Sequence, residues 1–363
     1  MSKKILLLSD YFFPAYKAGG PITSLKSLCT ILAERFDMTV MTSNCDIDGS
    51  KLNTESNEFN YKVHYDSSFK FLLRFLFLQT KYDLIYINSI FSFKYSILPL
   101  LIIFLKRIDC KVIIAPRGEF SPSALGFGSS KKRLYLFLFK RLYINRIDKF
   151  HFTSNQECED FVSLFGDFKE YAIIPNPNVA KPKYFPLKSP IVKFVYFGRI
   201  SPIKNLHFAI EVLSKLDIPF RFDIYGPIGD DLYWRNCLTL LRKFNFDYTY
   251  HGSFSGCSQS ILKEYHFCLV PSLSENFGHV VYEALASSTP VIVSTNTPWI
   301  SGSISTGFIS LPLNLTVWHQ FLSNFEFNDA NYVNDIRFSA FEYISTYNST
   351  VDLRSQYLNN FIG

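Results

Sequence analysis

Short, nearly unbroken apolar runs recur along this chain, and they constrain it more than any other feature. The first half holds KKILLLSD, MTVMTSN, DLIYINS and KVIIAPRG; the second holds KFVYFGRI, FRFDIYGP, HFCLVPS and PVIVST. A strand with one wet face alternates apolar and polar residues, whereas an unbroken run needs cover on both faces. Segments with helical spacing separate the runs. GPITSLKSLCTILAERF puts Ile22, Leu25, Leu28, Ile31 and Leu32 on one stripe, with Pro21 in the first turn. LHFAIEVLSKL, YWRNCLTLLRKF and HVVYEALASS also read as helices. The predicted class is α/β, with helices on both faces of parallel sheets.

The chain has 363 residues, too many for one ordinary core. Ile173–Pro190, IIPNPNVAKPKYFPLKSP, contains five prolines and resists helix and sheet interiors, so it reads as an interdomain linker. The predicted domains are 1–180 and 190–339, each doubly wound and Rossmann-like, followed by a helical segment over 340–363. Hydrophobic residues make up 48% of the chain and charged residues 19%, which excludes a disordered protein. The seven cysteines are scattered, with no CxxC pair and no metal-ligand spacing, as expected of free thiols in a reducing, cytoplasmic setting. The opening apolar run meets Asp10 and no small-residue cleavage site, so it reads as a buried strand rather than a signal peptide. The longest uncharged apolar segment, Tyr95–Leu105, falls short of the roughly 20 residues that a membrane-spanning helix needs.

Open α/β sheets bind ligands beyond the carboxyl ends of their strands. Three stretches lie there. In SDYFFPAYKAGGP, Gly19 and Gly20 precede a helix, where backbone can approach a ligand closely and free N–H groups can face a phosphate. In FGRISPIKN, Arg199 and Lys204 bracket a loop that opens another helix, two cations suited to a diphosphate. In SENFGHVVYEA, Glu275 and Glu283 flank a glycine turn and a helix starting near Phe277 or Gly278. Were all eight steps helical, these carboxylates would lie about 12 Å apart, beyond the roughly 5–9.5 Å of a glycosidase acid pair. The gap suits acceptors for two hydroxyl-bearing groups joined through phosphate.

These three stretches, in this order and spacing, resemble the retaining glycosyltransferases of family 4. ENFGHVVYE is similar to the family's E-x7-E signature, FGRISPIKN to its phosphate loop and PAYKAGGP to its N-terminal glycine loop. The resemblance implies a GT-B fold of two Rossmann-like domains facing a cleft, with the final helix crossing back onto the first domain. It implies that Glu275 holds the donor sugar, Glu283 the nucleotide ribose, and Arg199 and Lys204 the diphosphate. Glu275, Arg199 and Lys204 are the expected catalytic set. The wider donor set is Gly19, Gly20, Gly198, Gly226, Asn276, Phe277, Gly278, His279 and Val280. No metal or cofactor is expected, and UDP stands ahead of GDP as the nucleotide.

IAPRGEFSPSALGFGSSKK resembles a segment of bacterial members that build surface polysaccharides such as O-antigen, capsule and lipopolysaccharide. Its Arg117 and Glu119 are expected on the acceptor side, or else as an ion pair with each other. Where many members carry a histidine, near the end of the strand that here reads DLIYINSIF, this chain has Asn88, which can hydrogen-bond a sugar but cannot act as a general base.

Residues 1–185 hold 25 Lys and Arg against 17 Asp and Glu, while residues 186–363 hold 12 against 14, so the first half favours anionic partners. Lys131–Lys149, KKRLYLFLFKRLYINRIDK, interleaves seven cations with Leu, Phe and Tyr, and Phe69–Lys81 is similar in kind. Such helices can lie on an anionic bilayer or pack in a core with a wet basic edge. The resemblance implies a lipid-linked glycan acceptor and peripheral association with the inner face of the plasma membrane. No nucleic-acid-binding module is present, and nucleic acid is not an expected partner. A GT-B sugar-nucleotide epimerase and a noncatalytic nucleotide-sugar or glycan-binding subunit are the alternatives; product chemistry separates the first, and transfer dependent on Glu275 the second.

Overall fold

The computed structural model describes residues 2–19, 21–54, 59–78, 81–126, 129–168, 170–177, 180–254, 256–300, 302–350 and 352–362. It divides into two units, Met1–Pro177 with Leu353–Gly363, and Asn178–Asp352. The first unit runs β1 (Lys4–Ser9), α1 (Pro21–Leu32), β2 (Asp37–Ser43), β3 (Lys62–Asp66), α2 (Ser68–Leu76), β4 (Leu84–Asn88), α3 (Leu98–Lys106), β5 (Lys111–Ala115), α4 (Pro122–Gly126), α5 (Ser129–Leu142), β6 (Lys149–Phe152), α6 (Asn155–Phe165) and β7 (Tyr171–Ile173). The second runs β8 (Val192–Phe197), α7 (Leu206–Leu213), β9 (Phe220–Tyr225), α8 (Asp231–Phe244), β10 (Asp247–Gly252), α9 (Gln259–Leu262), β11 (Phe267–Val270), α10 (His279–Ala286), β12 (Val291–Ser294), β13 (Phe308–Leu311), α11 (Leu315–Ser323) and α12 (Ala330–Thr350). Helix α13 (Leu353–Ile362) belongs to the first unit.

Each unit is one parallel sheet, ordered β3-β2-β1-β4-β5-β6-β7 and β10-β9-β8-β11-β12-β13. The apolar runs alternate between faces that are both buried. Leu6 and Leu8 of β1 face α2, α3, α5 and α6, while Ile5 and Leu7 face α1 and α13. In the second unit Phe194 and Tyr196 of β8 face α7, α8 and α11, while Val195 faces α9, α10 and α12. Each fully buried large apolar side chain contributes about 1.5–3 kcal/mol, which is why these runs form central strands. Chain order reverses between β1 and β4, and again between β8 and β11. Those two places are the switch points where open α/β sheets bind ligands.

The linker is not a free tether. From residue 180 it is pinned to the second unit: Tyr282 Oη donates to Ala180 O at 3.1 Å, Lys183 N to Ala286 O at 3.0 Å and Leu187 N to Asn334 Oδ1 at 2.8 Å. The return to the first unit also differs from the expected boundary at 340. Val333, Ile336, Ala340 and Ile344 form one buried stripe on α12, so nothing interrupts that helix at 340. Gly307 (φ +76°) lies so close that a Cβ there would meet Ala340 Cα at 2.2 Å. Helix α13, in the first unit, packs through Tyr357, Leu358 and Phe361.

Candidate functional site

In the second unit the switch-point loops are built around close backbone contact. Gly198 N donates to Tyr225 O at 2.9 Å, and a Cβ on Gly226 (φ +143°) would stand 1.9 Å from Gly198 O. The second approach excludes a side chain on Gly226. A Cβ on Gly229 would lie 2.7 Å from Arg199 Cδ, so this glycine makes room for the arginine stem. A 3-10 turn, Pro202–Lys204, then leads through left-handed Asn205 (φ +59°) into α7. The loop after β11 is tied to this turn by Leu273 N donating to Ile203 O at 2.8 Å.

That bond brings opposite charges together. Lys204 Nζ donates to Glu275 Oε1, and Ser272 Oγ donates to the same oxygen at 2.8 Å. The Glu275 side chain is 8% exposed and that of Lys204 30%. Sequence reasoning gave the two residues separate ligand groups; the structure shows that they also partner each other. The helix begins at His279, with Gly278 (φ +77°) before it and no side-chain cap. Glu275 therefore sits in the preceding loop, and the all-helical separation does not apply. Phe277 is buried, and its carbonyl accepts from Trp299 Nε1 at 2.6 Å, which fixes the turn. Its ring also lies 5.0 Å from that of His279. Asn276 and Val280 flank this turn. One turn into α10, Glu283 is partly buried; burial raises its carboxyl pKa, opposed by a hydrogen bond from Ser258.

In the first unit Gly19 (φ +96°) closes the 3-10 turn Tyr16–Ala18, donating to Tyr16 O at 3.1 Å. Gly20 lies outside the described residues. Arg117 and Glu119 do not pair with each other. Glu119 accepts from Ser89 Oγ (2.8 Å), Ile90 N (2.6 Å) and Phe91 N (3.1 Å), clamping the turn after β4, where Ser89 has φ +115°. Arg117 donates from Nε to Asn88 Oδ1 (2.7 Å), from Nη1 to Asn176 Oδ1 and from Nη2 to Tyr86 Oη (2.8 Å). Tyr86 Oη lies 2.6 Å from His151 Nδ1, and His151 Nε2 lies 2.9 Å from Ile174 O. Asn88 Nδ2 reaches Ser9 Oγ at 3.4 Å. The structure thus adds Ser9, Tyr86, His151 and Asn176 to the residues read from sequence. No local pattern could have found them, because they come from β1, β4, β6 and the loop after β7.

Residues 181–309 match the family described as Glycosyl transferases group 1, so the second unit carries a glycosyltransferase domain. No curated protein sequence matches the chain. Solved structures match it nearly end to end. HepE of Anabaena, in complex with UDP and glucose, is 16% identical, with a TM-score of 0.76 and 99% of each chain covered. Sucrose-phosphate synthase of Thermosynechococcus elongatus is 16% identical, with a TM-score of 0.75 over 95% of this chain and 94% of that one. An E. coli trehalose-6-phosphate structure bound with UDP-2-fluoro glucose is 10% identical, with a TM-score of 0.66 over 99% and 98%. The fold is accordingly GT-B, two Rossmann-like units of the kind found in nucleotide-sugar glycosyltransferases.

Proposed function

We propose that this protein is a retaining, metal-independent glycosyltransferase. It moves a sugar from a nucleotide diphosphate donor to a lipid-linked glycan acceptor in the synthesis of cell-surface polysaccharide. One observation carries the reading. In the unit that matches glycosyltransferases, Arg199, Lys204 and Glu275 stand on the two loops flanking the switch point, just before the uncapped start of α10. Arg199, Lys204 and the first N–H groups of α10 balance the charge of the leaving diphosphate, a task they perform without a divalent cation. Glu275 accepts from donor sugar hydroxyls once the diphosphate draws Lys204 away, and Glu283 accepts from the ribose. The bond between the anomeric carbon and the phosphate oxygen breaks while the acceptor oxygen bonds on the same face. The acceptor proton passes to the leaving phosphate. The UDP bound in HepE favours UDP as the nucleotide. Asn88 and Arg117 serve the acceptor, and Glu119 serves it through the turn it clamps.

The lipid end of the acceptor fits the outer surface of α2, α3 and α5. Phe69, Leu73 and Phe77, then Leu101 and Leu105, then Leu134, Phe137, Leu138 and Leu142 are exposed there. Lys106 Nζ donates to Leu76 O at 2.6 Å, so α2 and α3 are neighbours. Residues 68–78, 91–108 and 129–147 hold eleven Lys and Arg and no Asp or Glu. Aromatic and aliphatic side chains among cations, with no acid, make a surface for an anionic bilayer. Among the described residues no helix is long and apolar enough to cross a membrane.

Nucleotide release from UDP-, GDP- and ADP-sugars in EDTA, with and without a polyprenyl-diphosphate glycan extract, tests the reading. Acceptor-stimulated release from one donor is expected, lowered about 100-fold or more in Arg199→Ala and Glu275→Ala with the thermal melt retained. Silence across the panel together with no nucleotide binding by calorimetry sinks the donor site.

A further inference from the structure

Arg117 is held by neutral groups alone. Its three bonds go to Asn88, Asn176 and Tyr86, and no carboxylate among the described residues pairs with it. The tyrosine brings no hidden negative charge. Ile174 O can only accept, so His151 Nε2 carries the proton, Nδ1 accepts from Tyr86 Oη, and the tyrosine oxygen accepts from Arg117. The nearby acids are engaged elsewhere. Glu119 holds the 89–91 turn, and Glu157 accepts from Gly118 N (2.6 Å), Thr153 N (2.7 Å) and Thr153 Oγ1 (2.8 Å). The guanidinium is therefore a fixed, partly exposed positive charge with no carboxylate bonded to it; buried Glu157 acts on it only through space.

Its placement and geometry say what it is for. Ser9 and Asn88 end β1 and β4, the strands flanking the first unit's switch point, and Arg117 follows β5 by two residues. Arg117 itself is left-handed, φ +58°, a conformation that costs about 1–3 kcal/mol in a residue other than glycine. A guanidinium has five N–H groups. Three are engaged, which leaves one on each Nη, the pair that grips two oxygens of a phosphate. Asn88 completes the device. Its Oδ1 accepts from the guanidinium, which a protonated imidazole at this position could not do.

We propose that Arg117 is the anion-binding residue of the first unit and takes the phosphate oxygens of a phosphate-bearing acceptor. The word acceptor rests on the transferase reading; the anion site does not. Inorganic pyrophosphate is titrated calorimetrically into the full chain with UDP saturating, using wild type, Arg117→Gln, Arg117→Lys and Lys204→Ala. Affinity should fall at least about tenfold in Arg117→Gln and less in Arg117→Lys, which keeps the charge but loses the fork. In kinetics, Arg117→Lys should raise KM for a diphosphate-linked glycan and leave KM for the donor sugar nucleotide and for the same glycan without phosphate unchanged. If Arg117→Gln fails to melt cooperatively, Arg117→Lys carries the test. Equal pyrophosphate affinity in wild type and the folded Arg117 variants overturns the proposal, as does a loss confined to Lys204→Ala. A KM rise for the donor alone overturns the acceptor assignment. Failure to transfer sugar from any donor would sink the transferase reading and leave Arg117-dependent pyrophosphate binding standing.

Discussion

Each unit contains an arginine held by neutral oxygens alone, and the two are put to different uses. Arg337 of α12 is completely buried, with Nε on Phe185 O (2.9 Å), Nη1 on Tyr265 O (2.6 Å) and Nη2 on Lys263 O (2.7 Å). Burial lowers its pKa to about 10. It staples the proline-rich strap and the end of α9 to α12, and no ligand can reach it. Arg117 is partly exposed, its holders are side chains, and it stands at the carboxyl ends of strands. A buried cation surrounded by carbonyls is a structural joint, whereas a partly exposed one surrounded by amides and a phenol is a place for an anion.

The largest expected effect breaks the joint. Arg337→Met keeps much of the side-chain volume but leaves three buried carbonyls without donors, each costing about 1–3 kcal/mol. Stability by chemical denaturation should fall by about 3 kcal/mol or more. Arg337→Lys should recover little, because one ammonium cannot serve three divergent carbonyls. Arg117→Gln should cost only about 1 kcal/mol, since water replaces much of what is lost at a partly exposed site. Equal losses in the two variants would erase the distinction and make Arg117 another joint.

Much of the second unit's site was legible because its parts are contiguous. Strand, glycine turn and helix follow one another in HFCLVPSLSENFGHVVYEA, and Arg199 and Lys204 fall within one loop. What the sequence could not yield was the meeting of Lys204 and Glu275, 71 positions apart. The first unit's network was legible only at Asn88, Arg117 and Glu119. Tyr86 and His151 look like ordinary strand residues, and Asn176 is lost among prolines. The same limit hid β3, β6, β7, β10 and β13, which are short or, like KVHYD and DYTYHG, carry polar residues that blur the apolar run. The central strands were plain because they are buried on both faces.

The first unit's surplus charge extends to its outer helices, and this predicts a second contrast. Wild-type protein should sediment with vesicles containing phosphatidylglycerol and not with pure phosphatidylcholine. Binding should weaken as salt rises toward 1 M, where the Debye length shrinks to about 3 Å. Leu134→Asp with Phe137→Asp, both on the exposed side of α5, should lower binding about tenfold without changing the melt. Equal binding to neutral vesicles, or no change in the double variant, would remove the bilayer from the reading.

The smallest effect concerns His151, the far end of the Arg117 network. Burial, then the neighbouring guanidinium, lowers its pKa from 6.5 to about 3. In the unfolded chain it titrates near the ordinary value of about 6.5. Above that pH neither state binds the proton and the network's contribution is complete. As pH falls from about 6.5 toward 3, the unfolded chain takes a proton that the folded one refuses, so stability drops by up to about 1.4 kcal/mol per pH unit. His266, lowered to about 4 chiefly by burial, adds the same sign. Asp10, Glu119, Glu157 and Glu283, all raised mainly by burial, act oppositely, since the folded chain holds their protons at higher pH. The raw pH curve mixes these contributions, so the useful quantity is the difference from His151→Gln. Glutamine can still donate to Ile174 O and accept from Tyr86, yet it cannot titrate. The difference should be flat above about pH 6.5 and move in the variant's favour below it. A difference that stays flat down to pH 4 would mean that His151 protonates alike in both states. The network would then carry a second positive charge in acid, and Arg117 would no longer be its single cation.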